Sequence, residues 1–300
     1  MPSSGPVPRD VARRIAEESL AAIEHGFYTI PESDPDTSYD LATTVNLMNS
    51  RTAFYAADST LSTWASAAEQ YSTAEATSIS IVQTSAIEGT RTLVAELNGS
   101  RRVGVLNFAS AKNPGGGFLG GARAQEETLA RSSTLYRSLM TPTAQKFYTS
   151  HKANPKAGFY SHAMVFSPHV VFFRADDGTW IAPFEVDVLT SPAVNAGRAR
   201  MTIHDVPPPA DVEEKIEAVM RERMARLLFL FFRRGIKDIV LGSFGTGAFR
   251  NDVAMVAKIW ADLLTNEGAP FKTAFSRVVF AIIDAKTFNT FKETFEAQNK

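Results

Sequence analysis

Two stretches of this 300-residue chain combine glycines with groups able to do chemistry. In the first, Asn113-Pro114-Gly115-Gly116-Gly117 is followed, after seven residues, by Gln125-Glu126-Glu127. Glycines let a backbone pass close to a ligand and adopt positive φ, and a carboxyl can give and take a proton at a reacting oxygen. Acidic residues in a first helical turn often serve only the helix dipole. A plain crossover turn, however, has no need of five glycines (the three above, Gly120 and Gly121) and a Gln-Glu-Glu. Adjacent helical residues point about 100° apart, so Glu126 and Glu127 cannot both face one atom. One is free for acid/base work while the other holds a neighbouring hydroxyl.

The second stretch is Gly242-Ser243-Phe244-Gly245-Thr246-Gly247-Ala248-Phe249-Arg250-Asn251-Asp252. Successive amides between a strand and a helix start form an anion nest, reinforced by the helix dipole. The stretch lacks the Lys-Ser/Thr ending of a P-loop and the Gly-x-Gly-x-x-Gly spacing of a dinucleotide fold. A diphosphate cradle fits it better than either. At Gly247 a β-branched residue would put a Cβ where ligand oxygens should sit, and would strain the backbone if φ there is positive.

Other chemistries are excluded by composition. Cysteine is absent, which removes disulfides, thiolate nucleophiles and Cys-ligated metals. His25, His151, His162, His169 and His204 form no close ligand pair, so a metalloprotease-type site is not expected. Lys plus Arg number 31 against 32 Asp plus Glu, a net charge of −1, which gives no global pull toward nucleic acid or anionic membrane. The longest apolar run, Leu227 to Phe232, is too short to span a bilayer, and the first residues lack the pattern of a signal peptide. An intracellular protein, nuclear or cytoplasmic, is expected.

The elements that must carry the two loops can be placed by pattern. A helix is expected over Arg9 to His25 behind a disordered lead-in at residues 1–8, with a short helix near Leu61 to Glu69. Residues 1–78 lack a strand pattern and are expected to form a helical, loop-rich extension packed on a catalytic unit of residues 79–300. There, strands are expected at Ser78–Gln83, Arg102–Ala109, Val186–Thr190, Lys237–Leu241 and Arg277–Ile283. Met164–Phe173 and Trp180–Phe184 read as a hairpin around Asp176-Asp177-Gly178. Helices are expected at Ala86–Leu97, Gln125–Met140, Val212–Arg234 (capped by Gly235), Asp252–Leu264 and Ala285–Ala297. Strands alternating with helices argue an α/β fold, a mostly parallel or mixed sheet covered on both faces. Ligands of such sheets bind beyond the carboxyl ends of the strands, where both glycine loops fall. Tyr160, His162 and His169 lie in a strand-rich stretch and read as structural.

Three glycines, a gap of seven and Gln-Glu-Glu resemble the signature of the poly(ADP-ribose) glycohydrolase family. The flanking Leu106-Asn-Phe-Ala-Ser-Ala-Lys-Asn-Pro114 and Ala130-Arg-Ser-Ser-Thr-Leu-Tyr136 are similar to its smaller, bacterial-type branch, also found in fungi. The likeness runs from about residue 80 to 285. It implies a macrodomain, a three-layer α/β/α sandwich with a mixed sheet and an N-terminal helical extension. It also implies hydrolysis of ribose–ribose O-glycosidic bonds with release of ADP-ribose, from chain ends, in the reversal of ADP-ribosylation, as in a DNA-damage response. By the same resemblance Glu127 is the catalytic acid/base and Glu126 holds a ribose hydroxyl. Asn113 and Gly115 to Gly117 lie at the distal ribose beside Gln125. Gly245, Thr246, Gly247, Ala248 and Phe249 match the diphosphate loop, Phe249 packing beside the distal ribose, and Asn195 lies in the adenosine site. Many members carry Trp at Phe244, Cys at Thr246 and Pro at Val194. No metal or cofactor is implied; the partners are poly(ADP-ribose), ADP-ribose and poly(ADP-ribosyl)ated proteins, met by a monomer. Two alternatives stay open on the residues: a macrodomain that binds ADP-ribose without hydrolysis, and a hydrolase of mono-ADP-ribosylated protein.

Overall fold

The structure is a computed structural model that describes residues 7–31, 37–67, 76–201 and 207–298. Most of the expected lead-in, the end of the helix expected near 61–69, and His204 lie outside the described residues. In chain order the elements are α1 (Arg9–His25), β1 (Phe27–Thr29), β2 (Ser38–Asp40), α2 (Ala42–Arg51), β3 (Ala53–Tyr55) and β4 (Ser78–Val82). There follow α3 (Ala86–Glu96), β5 (Val103–Phe108), α4 (Gln125–Ser132), α5 (Leu135–Leu139), α6 (Pro142–Ala153), β6 (Met164–Arg174) and β7 (Trp180–Ser191). The chain closes with α7 (Ala196–Ala199), α8 (Val212–Arg233), β8 (Asp238–Leu241), α9 (Val253–Leu264), β9 (Arg277–Ala281) and α10 (Ala285–Ala297).

The main sheet has seven strands in the order β3-β6-β7-β5-β8-β9-β4. From β7 through β4 the strands are parallel, while β6 runs antiparallel to both β7 and β3. Strand residues point alternately to the two faces, and the apolar ones divide accordingly into two cores. Leu106, Phe166, Leu189, Ile239 and Phe280 meet α8, α9 and α10 on one face. Val103, Val105, Val165, Val188 and Val240 meet α2 to α6 on the other. The result is the expected three-layer α/β/α sandwich with a mixed sheet. Gly104 in β5 lets α8 pack close, since a Cβ there would come 2.6 Å from the Phe231 ring.

Four expectations about elements are corrected. The helix expected over Gln125–Met140 is two, because Ser133 turns extended (φ −150°) and bridges Phe172 of β6. Ser133 Oγ instead donates to the Leu129 carbonyl, and Thr134 Oγ1 accepts from the Val171 amide. These side-chain bonds offer the backbone an alternative to helix. Secondly, Val186–Thr190 is no separate strand; it is the second half of β7, whose partner β6 absorbs a register shift between Ser167 and Val170. Thirdly, the helix expected from Leu61 is a single 3₁₀ turn, Thr60–Thr63. Finally, the N-terminal segment is not strandless: β1 pairs with β2, and β3 forms one edge of the main sheet.

His162, read as structural, is half-buried, and His151 is fully buried. Burial, the main cause in both, holds the His151 imidazole down at about 4 and His162 at about 3, from an ordinary 6.5. Ser161 Oγ lies 2.8 Å from His151 Nε2. Between about pH 6.5 and about 4 the unfolded chain therefore binds protons that the fold excludes, so stability falls as pH drops through that window. His151→Gln is expected to lose less Tm than the parent between pH 7 and pH 5 in thermal melts. An unchanged pH dependence would show that this ring is not excluded from protonation.

Candidate active site

A cavity of about 390 Å³ opens at the carboxyl ends of the parallel strands. Its wall takes Thr84 to Ile87 after β4, Phe108 to Ser110 after β5, Gly245 to Phe249 after β8 and Ala281 to Asp284 after β9. The first turn of α4 brings in Gln125, Glu126 and Glu127.

Glycine allows this turn to close over the two glutamates. Gly116 has φ +61°, and a Cβ there would overlap Glu127 Oε1 while sitting 2.8 Å from Glu127 Cδ and 3.0 Å from Glu126 Oε2. Glu127 Oε1 accepts the Gly117 amide at 2.9 Å, and its Oε2 has no hydrogen-bond partner among the described residues. Glu126 is 3% exposed; its Oε2 accepts the Ser110 amide at 2.6 Å, and Asn107 Nδ2 donates to its Oε1 at 3.5 Å. Burial pushes the Glu126 carboxyl well above the ordinary glutamate value, with the Glu127 charge adding and the Ser110 amide opposing. Two neighbouring carboxyls thus differ in burial, Glu126 withdrawn from water and Glu127 partly exposed.

Gln125 splices α4 to β5. Its Oε1 accepts the Phe108 amide at 2.9 Å and its Nε2 donates to the Leu106 carbonyl at 2.6 Å. Behind the turn lies α1: Arg123 donates to the Val7 carbonyl, and the Arg9 carbonyl fills the space where Gly121 would carry a side chain. Arg174 donates to Glu18 of α1 at 2.8 Å.

In the second loop the amides of Phe244, Thr246, Arg250 and Asn251 bond within the loop. Those of Gly247, Ala248 and Phe249 have no acceptor among the described residues, so they are available to an anion. Positive φ falls at Gly245 (+76°), where a Cβ would overlap Ala193, and not at Gly247, where a Cβ would meet nothing within 4 Å. The backbone strain considered for Gly247 is therefore absent. Phe244 is buried 5.6 Å from Phe108, ring to ring.

The catalytic-domain model of the microbial-type poly(ADP-ribose) glycohydrolases matches residues 16–175. The chain belongs to this family. Among solved structures it is similar to poly(ADP-ribose) glycohydrolase from Thermomonospora curvata, at 34% identity and a TM-score of 0.83, covering 95% of this chain and all of that one. The same enzyme bound to the inhibitor ADP-HPD matches at 35% identity and TM-score 0.81, over 95% of this chain and 100% of that one. The Deinococcus radiodurans enzyme in complex with ADP-ribose matches at 32% and 0.75, over 84% of this chain and 97% of that one. Comparison with curated proteins returns no match. Membership makes this chain a glycosidase, a poly(ADP-ribose) glycohydrolase of macrodomain type.

Of the residues singled out in the sequence, Gln125, Glu126, Glu127 and Gly245 to Phe249 meet at the cavity wall. Gly115, Gly116, Gly117 and Asn113 form the turn behind it, the Asn113 carbonyl accepting the Gly116 amide at 2.9 Å. Asn195 stands off the wall; it caps α7, its side chain accepting the Arg198 amide. Pattern reading missed the β4 and β9 ends and Asp176. The signal available was the rule that parallel strands bind ligands at their carboxyl ends, which applies to every parallel strand and not only to the two with glycines. Asp176 enters from the β6–β7 turn and accepts Ser85 Oγ at 2.5 Å, with burial raising its carboxyl.

Gly116→Ala is expected to displace Glu127 and cut turnover of poly(ADP-ribose) by ~10²-fold, while positive φ adds a folding cost of about 1 kcal/mol. Steady-state kinetics with a thermal melt read both. Full turnover in this variant would show that the close approach does not matter.

Proposed function

We propose that the chain releases ADP-ribose from the ends of poly(ADP-ribose), with Glu127 as general acid/base. The observation that carries this is Glu127 itself, set by the Gly117 amide on the wall of a cavity that it shares with a loop whose three amides have no acceptor among the described residues. Gly245 to Phe249 take the diphosphate, which needs no basic patch because backbone amides and the start of α9 supply the field. Glu126, whose burial favours the uncharged form, holds a ribose hydroxyl, and Gln125 keeps α4 aligned with β5. Glu127 protonates the leaving ribose oxygen as the anomeric carbon gains oxocarbenium character, then takes a proton from the attacking water. The bound diphosphate supplies the negative charge that a second carboxylate gives in ordinary glycosidases.

The same reading assigns residues 1–78 to an extension that braces the catalytic unit of residues 79–300 through α1. It makes the partners poly(ADP-ribosyl)ated proteins inside the cell, in nucleus or cytoplasm, and the enzyme a monomer. Asn113 and Asn195, which are off the wall, are assigned to positioning the distal ribose turn and the adenosine side respectively.

Glu127→Gln is expected to lower turnover by ~10²–10⁴-fold and to keep ADP-ribose affinity in calorimetric titration. A variant retaining more than about a tenth of the parent rate would hand the acid/base role to another group. Gly247→Val is the converse probe: affinity for ADP-ribose is expected to fall and Tm to hold, because the added side chain enters open cavity. Unchanged affinity would place the diphosphate elsewhere. Running polymer and mono-ADP-ribosylated protein side by side distinguishes a polymer hydrolase from the two alternative readings.

A further inference from the structure

At the other end of the sheet lies a second concavity of about 630 Å³ that the chemistry above does not use. It is lined by Arg51, Arg102, His169, Arg233 and Arg234 around Phe166. Arg102 directly precedes β5, and Arg233 and Arg234 end α8 just before β8. The groove is therefore at the amino ends of strands whose carboxyl ends carry the catalytic loops. Six-residue β5 sets the separation at roughly 20 Å along the strand direction.

Guanidinium charge there exceeds its complement. Arg102 pairs with Asp187, and His169 bonds Glu185 at 2.7 Å. Arg51, Arg233 and Arg234 have no carboxylate partner among the described residues. Instead Arg51 donates to His169 Nε2 at 3.2 Å and Arg233 to Thr60 Oγ1 at 2.8 Å. Arg234 lies 4.6 Å over the Phe166 ring and 5.5 Å over Tyr55, with its Nε buried and unpartnered. His169 is presented to the groove by the irregularity in β6, where it takes the uncommon φ of +58°. Strained residues of this kind gather at functional sites. In a chain of net charge −1, such a set of preorganised forks suits phosphate oxygens, which guanidinium recognises in a planar, bidentate way. Phe166, beneath Arg234, is 1% exposed and offers no platform for stacking a base, the usual companion of a basic track in single-strand nucleic-acid binding.

We propose that this groove is a second substrate site, taking diphosphates of a poly(ADP-ribose) chain whose end occupies the catalytic cavity. It rests on the function proposed above. A chain long enough to pass around the sheet engages both sites, and the second engagement is intramolecular. A dimer of ADP-ribose reaches only the cavity. The groove thus makes affinity depend on polymer length without altering the bond-breaking step.

The test compares KM for long poly(ADP-ribose) and for the ADP-ribose dimer, in the parent and in Arg51→Glu with Arg233→Glu. Both substituted residues are exposed, and the pair Arg51→Gln with Arg233→Gln repeats the test with less charge change if the first folds poorly. The parent is expected to favour long chains, and the variants to lose that preference by about tenfold or more, with kcat and dimer KM unchanged. Equal length preference in parent and folded variants would overturn the groove while leaving the catalytic reading intact. A parent that releases nothing from either substrate would instead remove that reading itself. A single-stranded DNA oligonucleotide that, with the cavity saturated by ADP-ribose, binds as tightly as the long polymer would overturn the assignment of the groove to poly(ADP-ribose).

Discussion

The approach of a bare backbone to two carboxyls is the constraint on which this structure turns. At Gly116 no side chain fits, because its place is already held by Glu127 and bordered by Glu126. Closing the turn that tightly removes Glu126 from water and leaves Glu127 fastened by one amide with an oxygen to spare. A carboxyl costs much to bury as an ion and far less as a neutral acid. One packing decision therefore sets the Glu126 carboxyl apart from an exposed one.

The rest of the fold keeps that turn in place. Gln125 extends the bonding of β5 into α4, so the helix start moves only if the central strand moves. On its outer side α1 fills the space against Gly121 and Gly178, where Ile15 lies in the position of a side chain. The opposite wall is built with the same economy, a loop after β8 with unpaired amides and Asp252 capping α9 through the Met255 amide at 2.8 Å. A chain without net positive charge thereby keeps backbone amides at the cavity wall that have no acceptor among the described residues. Arg51, Arg233 and Arg234 lie at the far end of the sheet.

Much of this was legible in the residues. Apolar periodicity places α1, α8 and α10 within a residue or two, and the glycine signature points to the turn that closes over Glu126 and Glu127 at the cavity wall. What stayed hidden depends on contacts distant in sequence. The break at Ser133 needs its bridge to Phe172 and the Thr134–Val171 bonds, which no local pattern announces. The three residues of β3 are strand only because β6 offers an unpaired edge. Gly245 and Gly247 look alike in the sequence, yet only the first has positive φ, because the chain there must clear Ala193 and Asn251. The β4 and β9 sides of the cavity carry no motif at all; they line it because of their place in the strand order.

The burial of Glu126 beneath the closed turn is the central claim, and carboxyl titration tests it directly. With ¹³C-labelled glutamate side chains, the Glu126 resonance, assigned by its loss in Glu126→Gln, should keep the shift of a protonated carboxyl at pH values where exposed glutamates have ionised. A Glu126 that ionises together with those exposed glutamates, near the ordinary value of 4.5, would contradict the account, since burial would then have withdrawn this carboxyl from water without changing its charge.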